Sequence, residues 1–441
     1  ATTDLLGGSP LPFQRGAGLD LEAISPAWSG LEGAHGEWEV PVVVRRFADG
    51  AVTNEPGDTF GFRLVEGERP VSATATVVLE VERGHLGGTF VETPGRIGPW
   101  QASNGDLYFI IEPTESDNVL MVVTSSDGGA TWREVDGANR PTADDLEGVG
   151  ADLEGGTLHV LHQTSDHVWR HVFRTSDHPT APDTWGITDE SVAAPGNPPT
   201  QVASLVARPD GSLVAAYGGL ETILVKVRSA DGTWGPEIAV DPGGPIESGP
   251  HLALGDGLEV HLAYTDGAGS AWYRRVRAGG SLSPRVRLST GLGTAEHDVG
   301  AVAPLAVLED GTVVVVYRLA DGGLWERRLE GDAVSEPVRI TDRTVVQNAV
   351  DSEQVGADVV AVGDAVHVLF IEDETGHLYH AVSRDRESWT TRLVADDVRA
   401  QWVRGRVLVR PDGTSTYGVV LDAGSDGGAG MNRYLEVGLG D

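Results

Sequence analysis

A turn-forming glycine recurs along this 441-residue chain at nearly equal intervals. Each of these glycines precedes an apolar run rich in β-formers, and neighbouring ones are 46 to 55 residues apart. They are Gly105, Gly156, Gly211, Gly257, Gly311, Gly363 and Gly413. A period of about fifty residues is typical of folds that repeat one small structural unit. The sequence therefore predicts seven similar units over most of its length.

Each unit has the pattern of four short strands. An apolar strand leads into the glycine turn, and a second strand follows, such as Leu213–Tyr217. A polar loop then precedes a third strand, such as Trp325–Leu329, and a last run such as Val338–Ile340 closes the unit. Branched and aromatic residues bounded by Gly, Asp, Asn and Pro are typical of strands and turns. We therefore expect an all-β fold, a seven-bladed β-propeller with four-stranded antiparallel blades, over residues 85–441.

The two ends of the repeat region predict how the ring closes. The seventh unit starts near Arg404 and has no obvious fourth strand, and we expect Thr89–Thr93 to supply it. Residues 1–36 are rich in Gly, Pro and Ala, which predicts an extended N-terminal arm that contacts neighbouring subunits. Residues 37–84 contain strand-like runs but are few for an independent domain. They are expected to form a small β-extension packed on the propeller or on a partner.

One turn carries a complete motif. Residues 125–132 read Ser-Ser-Asp-Gly-Gly-Ala-Thr-Trp, with Ser125, Asp127, Gly129, Thr131 and Trp132 at the positions of the pattern Ser-x-Asp-x-Gly-x-Thr-Trp. The Asp can accept hydrogen bonds from its own turn, the Gly permits positive φ, and the Trp packs between sheets. This pattern resembles the Asp box, the bacterial neuraminidase repeat of sialidase-like propellers. Partial copies between the predicted third and fourth strands contain Asp177 and Trp185, Asp231 and Trp234, and Asp385 and Trp389.

The resemblance implies that these turns are structural and lie on the face away from the functional mouth. That mouth would be built from the loops between strands two and three and from the connections between blades. The candidate catalytic residues at these positions are Arg96, Asp117, His162, Tyr217, His251, Tyr264 and Tyr317. The candidate ligand-binding residues are Glu112, His297, Arg318 and Arg404.

Sialidase-like hydrolysis is one function that the resemblance implies. Gly95-Arg96-Ile97-Gly98-Pro99 is similar to the family's Arg-Ile-Pro element, so Arg96 would bind a substrate carboxylate and Asp117 would serve as acid and base. The departures are that Gly98 interrupts this element and that no second or third triad arginine is evident. Tyr317, beside Arg318, stands in only poorly for the family's late Tyr–Glu pair.

Two other functions are compatible with the same residues. A lyase acting on a uronate polysaccharide would use His and Tyr as base and acid, with Arg neutralising the carboxylate. A non-catalytic recognition or assembly module would use the broad propeller face to bind a glycan or a cell surface. We expect the third, as part of an extracellular or virion-associated particle such as a tail or adhesion component, with a carbohydrate-active enzyme as the alternative.

The charge of the chain limits its partners. The formal net charge is −34, spread along the sequence, so the surface repels nucleic-acid phosphates and anionic membranes. No apolar run reaches the ~18–20 residues needed to cross a bilayer, so membrane insertion is not expected. The chain has no Cys, which excludes thiol catalysis and Cys-based zinc sites. No cofactor motif and no metal site is expected.

Overall fold

The computed structural model describes most of the repeat region and a few strands before it. With side chains it describes residues 84, 86–87, 93, 95–112, 119–135, 140–142, 148–175, 185–187, 189–198, 201–241, 249–292, 302–347, 355–396, 398, 400, 402–410, 412–422 and 432–439, and at 188 and 248 the backbone alone. Before residue 84 it describes only the backbone of seven short strands. Asp117, Asp177 and His297 lie outside the described residues.

The seven early strands form three small sheets. Strands β1 (Leu19–Ala23), β2 (Val42–Ala48) and β3 (Ala51–Val52) make an antiparallel sheet in that order. β4 (Thr59–Phe62) pairs with β7 (Ala75–Val78), and β5 (Val65–Glu66) pairs with β6 (Arg69–Pro70). Residues 1–36 therefore contain a strand, β1, which pairs with β2 of the segment that follows.

The repeat region forms seven antiparallel sheets in series, the blades of a β-propeller. The described residues contain no helix. Blade 1 contains β8 (Trp100–Gln101), β9 (Leu107–Ile111), β10 (Met121–Ser125) and β11 (Arg133–Glu134); blade 2 contains β12 (Val149–Glu154), β13 (Thr157–Gln163), β14 (Val168–Arg174) and β15 (Trp185–Ala193). Blade 3 contains β16 (Ala203–Ala207), β17 (Leu213–Gly218), β18 (Ile223–Arg228) and β19 (Ile238–Ala239); blade 4 contains β20 (Ser248–Leu254), β21 (Val260–Thr265), β22 (Ser270–Val276) and β23 (Val286–Thr290).

The remaining blades vary around the same plan. Blade 5 contains β24 (Ala306–Val307), β25 (Val313–Arg318), β26 (Leu324–Glu330), β27 (Ala333–Val334) and β28 (Val338–Arg339), and both β27 and β28 pair with β26. Blade 6 contains β29 (Ala357–Val362), β30 (Ala365–Ile371), β31 (Leu378–Ser383) and β32 (Thr390–Ala395). Blade 7 contains only β33 (Val403–Val409), β34 (Ser415–Asp422) and β35 (Asn432–Gly438). The predicted all-β, seven-bladed propeller is confirmed.

The repeated glycines and the apolar second strands explain why the chain folds this way. All seven predicted glycines have positive φ, between 56° and 93°, in the turns from first to second strands. L-residues adopt this backbone conformation only at a cost, so glycine sets the turn position in every blade. The second strand of a blade has neighbouring blades on both faces. In blade 5 it is the run Val313–Arg318, and all six of its residues are buried, as expected for a strand covered on both sides.

The ring is closed by residues that precede the first blade. Leu86 N donates to Asn432 O at 3.0 Å, and Tyr434 N donates to Gly84 O at 2.6 Å. These bonds place Gly84 and Leu86 along the outer edge of β35, at the position of a fourth strand of blade 7. Closure by a segment before blade 1 agrees with the expectation. The segment that pairs is 84–86, whereas the predicted Thr89–Thr93 lies outside the described residues except for Thr93.

The turn at residues 125–132 lies against this closure. Gly129 packs directly on the ring of Tyr434, and Trp132 meets the same ring edge-on at 5.5 Å. Gly84 N donates to Ala130 O at 2.9 Å, so the closing segment also contacts blade 1. The first and last blades are therefore joined through backbone pairing and through this turn.

Candidate functional site

The first strands of blades 2 to 7 surround a central channel. Within it lies a cavity of about 420 Å³, which we call the channel cavity. Its lining is formed by Arg96 and by residues 150–153, 204–207, 252–254, 304–307, 359–361 and 405–407. These segments run toward the turns between first and second strands, so the cavity lies toward the face that carries those turns. Each lining strand is the edge strand of its sheet, and its outer peptide groups need partners.

Side chains of one blade supply some of those partners to the next blade. Asp152 in blade 2 accepts from Ala207 N in blade 3 at 2.9 Å, and Ser204 in blade 3 accepts from Leu252 N in blade 4 at 3.1 Å. In the same way, Asp358 in blade 6 accepts from Gly405 N in blade 7 at 2.7 Å. Polar residues on the inner strands therefore join successive blades around the channel.

Arg96 crosses the channel from blade 1. Its Nη2 donates to Asp358 Oδ1 at 2.7 Å and to Val359 O at 2.6 Å, both in blade 6. Its Nη1 donates to Leu305 O, next to blade 5, at 3.2 Å. Asp358 is fully buried, and the side chain of Arg96 is only 15% exposed. The arginine predicted to bind a substrate carboxylate is therefore bound to a carboxylate of its own fold.

Arg404 and His251 lie near Arg96, close enough for the two arginine charges to act on the histidine ring. Arg404 is fully buried, and its Nη1 donates to Val403 O, Ala357 O and Val355 O at 2.7–3.2 Å. His251 is buried, and its Nε2 donates to Val302 O at 2.8 Å. Burial, with the charges of Arg404 and Arg96, lowers the pKa of His251 to about 3. The ring is therefore neutral at physiological pH.

Arg406 is a channel residue that was not predicted from the sequence. Its guanidinium stacks on the ring of Trp100 at 4.1 Å, and its Nη1 is 3.9 Å from Asp152 Oδ1. Its side chain is 40% exposed and lines the channel cavity. The only available signal was its spacing, because Arg404 and Arg406 are two residues apart on one strand and therefore point to the same face.

The residues predicted at the ends of second strands are buried. His162, Tyr217, Tyr264 and Tyr317 are at most 2% exposed, and Glu112 and Arg318 are 7% and 8% exposed. The hydroxyl of Tyr217 donates to Glu237 Oε1 at 2.8 Å, and burial together with this bond raises its pKa. Nε and Nη1 of Arg318 donate to Val345 O, Leu319 O and Gln347 Oε1. The structure therefore places these candidates between blades and does not gather them in one open site.

Four aromatic rings lie on the third strands, directly across from residues of the second strands; Trp169, Trp272 and Trp325 are partly exposed, and Tyr379 is buried. Trp169 pairs with His162, Trp272 with Tyr264, Trp325 with Tyr317, and Tyr379 with Phe370. Residues directly opposite in an antiparallel pair share one face of the sheet. Three of the four outer residues begin strands that the sequence predicts, so the signal for them was present.

Three of these outer rings have an arginine guanidinium packed over one face. Arg285 lies over Trp272 at 4.3 Å, Arg339 over Trp325 at 6.0 Å, and Arg343 over Tyr379 at 4.1 Å. The three arginine side chains are between 44% and 48% exposed. We call these six residues the rim pairs. They recur on blades 4, 5 and 6, and each places a half-exposed cation over an aromatic ring. Arg285 also bonds Asp241, and Arg339 and Arg343 lie 3.5 and 3.6 Å from Asp342 and Glu372.

The predicted Asp turns have the expected local geometry where they are described. Asp127 Oδ1 accepts from Ser125 Oγ and Thr131 N, and its Oδ2 accepts from Thr131 Oγ1 at 2.6 Å. Asp231 accepts from Thr233 N and Ser229 Oγ, and Asp385 accepts from Ser388 N and its Oγ. All three turns join third to fourth strands. Of the Trp residues predicted there, Trp185 is buried, whereas Trp132, Trp234 and Trp389 are partly buried.

No group of three or more His, Cys, Asp or Glu side chains that could hold a metal ion occurs in the described part of the chain. None of its elements is a helix with the length and apolar character to cross a membrane.

Comparison with known proteins shows the fold. No protein-family model matches the sequence, and no curated protein matches it. Among solved structures, an ulvan lyase of a new polysaccharide lyase family, bound to GlcA(1-4)Rha3S, superposes with a TM-score of 0.51 at 12% identity. That alignment covers 81% of this chain and 96% of the lyase.

Two further solved structures are similar at lower scores. An Aleuria aurantia lectin in complex with Fucalpha1-6GlcNAc has a TM-score of 0.43 at 12% identity, over 68% of this chain and 95% of the lectin. The NanB sialidase from Streptococcus pneumoniae has a TM-score of 0.45 at 12% identity, over 82% of this chain and 71% of the sialidase. At 12% identity the similarity to the ulvan lyase structure shows the β-propeller fold alone.

Proposed function

We propose that this protein is a non-catalytic recognition propeller that binds glycans or a cell surface through the rim pairs. The observation that carries the proposal is the bond of Arg96 to Asp358 across the channel. A carboxylate-binding arginine in an active site must be free to bind substrate. In this fold the guanidinium of Arg96 already binds one carboxylate and two carbonyl oxygens.

The other candidate catalytic groups support the same proposal. A general base should have a pKa near the operating pH and should reach the proton that it removes. The Nε2 of His251 is bound to a backbone carbonyl and its pKa is lowered to about 3, while the hydroxyl of Tyr217 is bound to Glu237. The bond of His251 joins blade 4 to the segment before blade 5, and the bond of Tyr217 lies within blade 3, so both serve a structural role.

The rim pairs supply a surface suited to sugars. An aromatic face offers apolar contact at low cost in conformational entropy, and an arginine offers hydrogen bonds to hydroxyl or carboxylate oxygens. Repetition on three consecutive blades allows several weak contacts to add through avidity. Glycans are named as ligands of the ulvan lyase and lectin structures, and we propose the same ligand class here. The Asp turns then serve as the structural Asp boxes of the resemblance, on the opposite face.

The proposal extends to where the protein acts and to how it assembles. A strongly acidic surface favours solubility in a particle outside the cell or on a virion, where residues 1–36 would contact neighbouring subunits. This assembly would present the rim pairs many times over.

The deciding experiment joins a binding screen to a turnover screen. Purified protein is applied to immobilised neutral, sialylated and uronate glycans, and the same glycans are incubated with it and checked for cleavage products. We expect saturable binding without turnover. Release of sialic acid or of an unsaturated uronate that is abolished by Arg96→Met would replace the proposal with the carbohydrate-active enzyme. Absence of binding to every glycan would contradict glycan recognition.

A further inference from the structure

The channel cavity carries a positive charge inside a strongly negative protein. Arg96, Arg404 and Arg406 lie in or beside it, against two carboxylates, Asp152 and Asp358. These side chains therefore hold one more positive than negative charge, whereas the whole chain has a formal charge of −34. A cleft of opposite sign to its surroundings, with low-dielectric walls, concentrates anions.

We propose that the channel cavity binds a small oxyanion, a sulfate, phosphate or carboxylate group, through the guanidinium of Arg406. This proposal does not depend on the rim pairs, which lie on the outer strands of the blades.

Arg406 has hydrogen-bond donors to offer. It makes no hydrogen bond with any residue in the described part of the chain, and its nearest carboxylate oxygen, on Asp152, is 3.9 Å away. That distance is too long for a hydrogen bond. The stacking on Trp100 holds the plane of the guanidinium while leaving its N–H groups available. A planar guanidinium matches the two oxygens of a carboxylate, sulfate or phosphate in a bidentate fashion.

Asp152 does not take up these donors in this geometry, because two backbone N–H groups orient its carboxylate and leave its Oδ1 3.9 Å from Arg406 Nη1. Its Oδ2 accepts from Ala207 N at 2.9 Å, and its Oδ1 accepts from Leu153 N at 3.0 Å. These bonds hold the carboxylate toward the neighbouring strand. Arg406 therefore remains accessible in the cavity, with 40% of its side chain exposed.

Arg96 and Arg404 add to the positive electrostatic potential of the channel cavity but do not compete with Arg406 for the anion. Arg96 closes one side of the cavity and is fixed by Asp358 and by carbonyl oxygens, and Arg404 is fully buried. Neither needs to move for an anion to bind to Arg406. Small residues on the inner strands, including Gly150, Ala207 and Ala253, leave the space, and about 420 Å³ admits an oxyanion or one acidic sugar residue.

The test is isothermal titration calorimetry of the full chain at constant ionic strength, with sulfate, phosphate, acetate and glucuronate as separate ligands. We expect one saturable site in the wild type, at least tenfold weaker in Arg406→Gln. The matched control is Arg410→Gln, on the same blade, because Arg410 is 42% exposed and pairs with Glu436 outside the cavity. It should bind as the wild type does.

Two further measurements keep the proposal falsifiable if Arg406→Gln folds poorly. Arg406→Lys keeps the charge but loses the planar fork, so it should bind more weakly than the wild type. The wild-type fluorescence should change on binding, and Trp100→Phe should remove most of that change. Tighter binding of glucuronate than of acetate would identify an acidic sugar, and preference for sulfate or phosphate an inorganic oxyanion. No saturable site, or equal binding by Arg406→Gln and the wild type, would overturn the proposal.

Discussion

Arg96 Nη2 and Asp358 Oδ1 lie 2.7 Å apart across the central channel, although 262 residues separate them in the sequence. The bond joins blade 1 to blade 6, which are not neighbours in the ring. Asp358 also accepts from Val359 N and from Gly405 N of blade 7. One buried carboxylate therefore links three blades, and its counter-ion closes one side of the channel cavity.

Removing that counter-ion should be costly. Arg96→Met removes the cation that is hydrogen-bonded to the buried carboxylate of Asp358, and we expect a loss of about 3 kcal/mol in the free energy of unfolding. Arg339→Met is the control, because Arg339 is half exposed and its partner Asp342 is fully exposed at 3.5 Å. The control should lose less than about 1 kcal/mol. Urea unfolding measures both, and similar losses would show that the Arg96–Asp358 pair contributes little.

Adding a methyl group to Gly129 should open the closure of the ring. A Cβ at Gly129 would come within 1.9 Å of the ring of Tyr434, and its φ is 90°. Gly105 has nearly the same φ, 93°, but has open space around it. Gly105→Ala should therefore show the backbone cost alone, roughly 1–2 kcal/mol, and Gly129→Ala at least as much again. Thermal unfolding of the two variants measures the difference. Equal melting temperatures would mean that the Tyr434 contact yields without cost.

Acid should destabilise the fold through buried histidines. Burial lowers the pKa of His159, His261 and His367 to about 4, and of His251 and His380 to about 3. In the unfolded chain these groups titrate near pH 6.5, so the unfolded state binds more protons below that pH. The stability that the neutral rings contribute is complete above about pH 7 and is lost as the pH falls from about 6.5 toward 4.

A double substitution separates this effect from the relief of the large negative charge on acidification. His367 Nδ1 and His380 Nε2 are 3.0 Å apart, and the rings stack at 5.2 Å. Replacing both with Gln removes two titrating groups, each worth about 1.4 kcal/mol per pH unit. The urea midpoint of this variant should fall less steeply between pH 6.5 and 4.5 than that of the wild type. An unchanged slope would contradict the assignment.

The arginines of the rim pairs should govern avidity for a glycan surface. A cation–ring contact at the surface is worth about 0.5–1 kcal/mol, so Arg285→Gln alone should weaken binding about two- to fivefold. The triple variant that also carries Arg339→Gln and Arg343→Gln should lose at least tenfold. Because these side chains are nearly half exposed, the melting temperature should change little. Surface plasmon resonance on a glycan that the wild type binds compares the variants, and unaltered binding by the triple variant would exclude the rim pairs.

The sequence predicts most of the fold because the determinants of a blade are local. The glycine before Leu213 predicts a turn, and the run Val313–Tyr317 predicts a buried strand, each from only a few neighbouring residues. The closure was predicted as a strand before blade 1, but Gly84 and Leu86 were not identified as its members, because the sequence Gly84-His85-Leu86 has no β-rich signal. The pairing with β35 depends on tertiary contacts, which the β-propensity of these residues does not predict.

The site was harder to predict because it depends on the ring as a whole. The sequence identifies Arg96, His251 and Arg404 as residues at blade connections, and the structure brings them near one another. It could not indicate that Asp358 faces Arg96, since that requires the placement of blade 6 opposite blade 1. Nor could it show that Arg406 has no hydrogen-bonded partner in the described structure, because this follows from the two peptide groups that hold Asp152.

The pairing of residues 84–86 with β35 has a consequence for synthesis on the ribosome. Gly87 and Asn432 are in contact but 345 residues apart. At a translation rate of about 5–20 residues per second, the closing segment waits roughly 17–70 seconds for its partner strand. Throughout that interval the nascent chain can build its blades one after another but holds an incomplete ring. Arrest peptides placed after β34 and after β35 would time the final step.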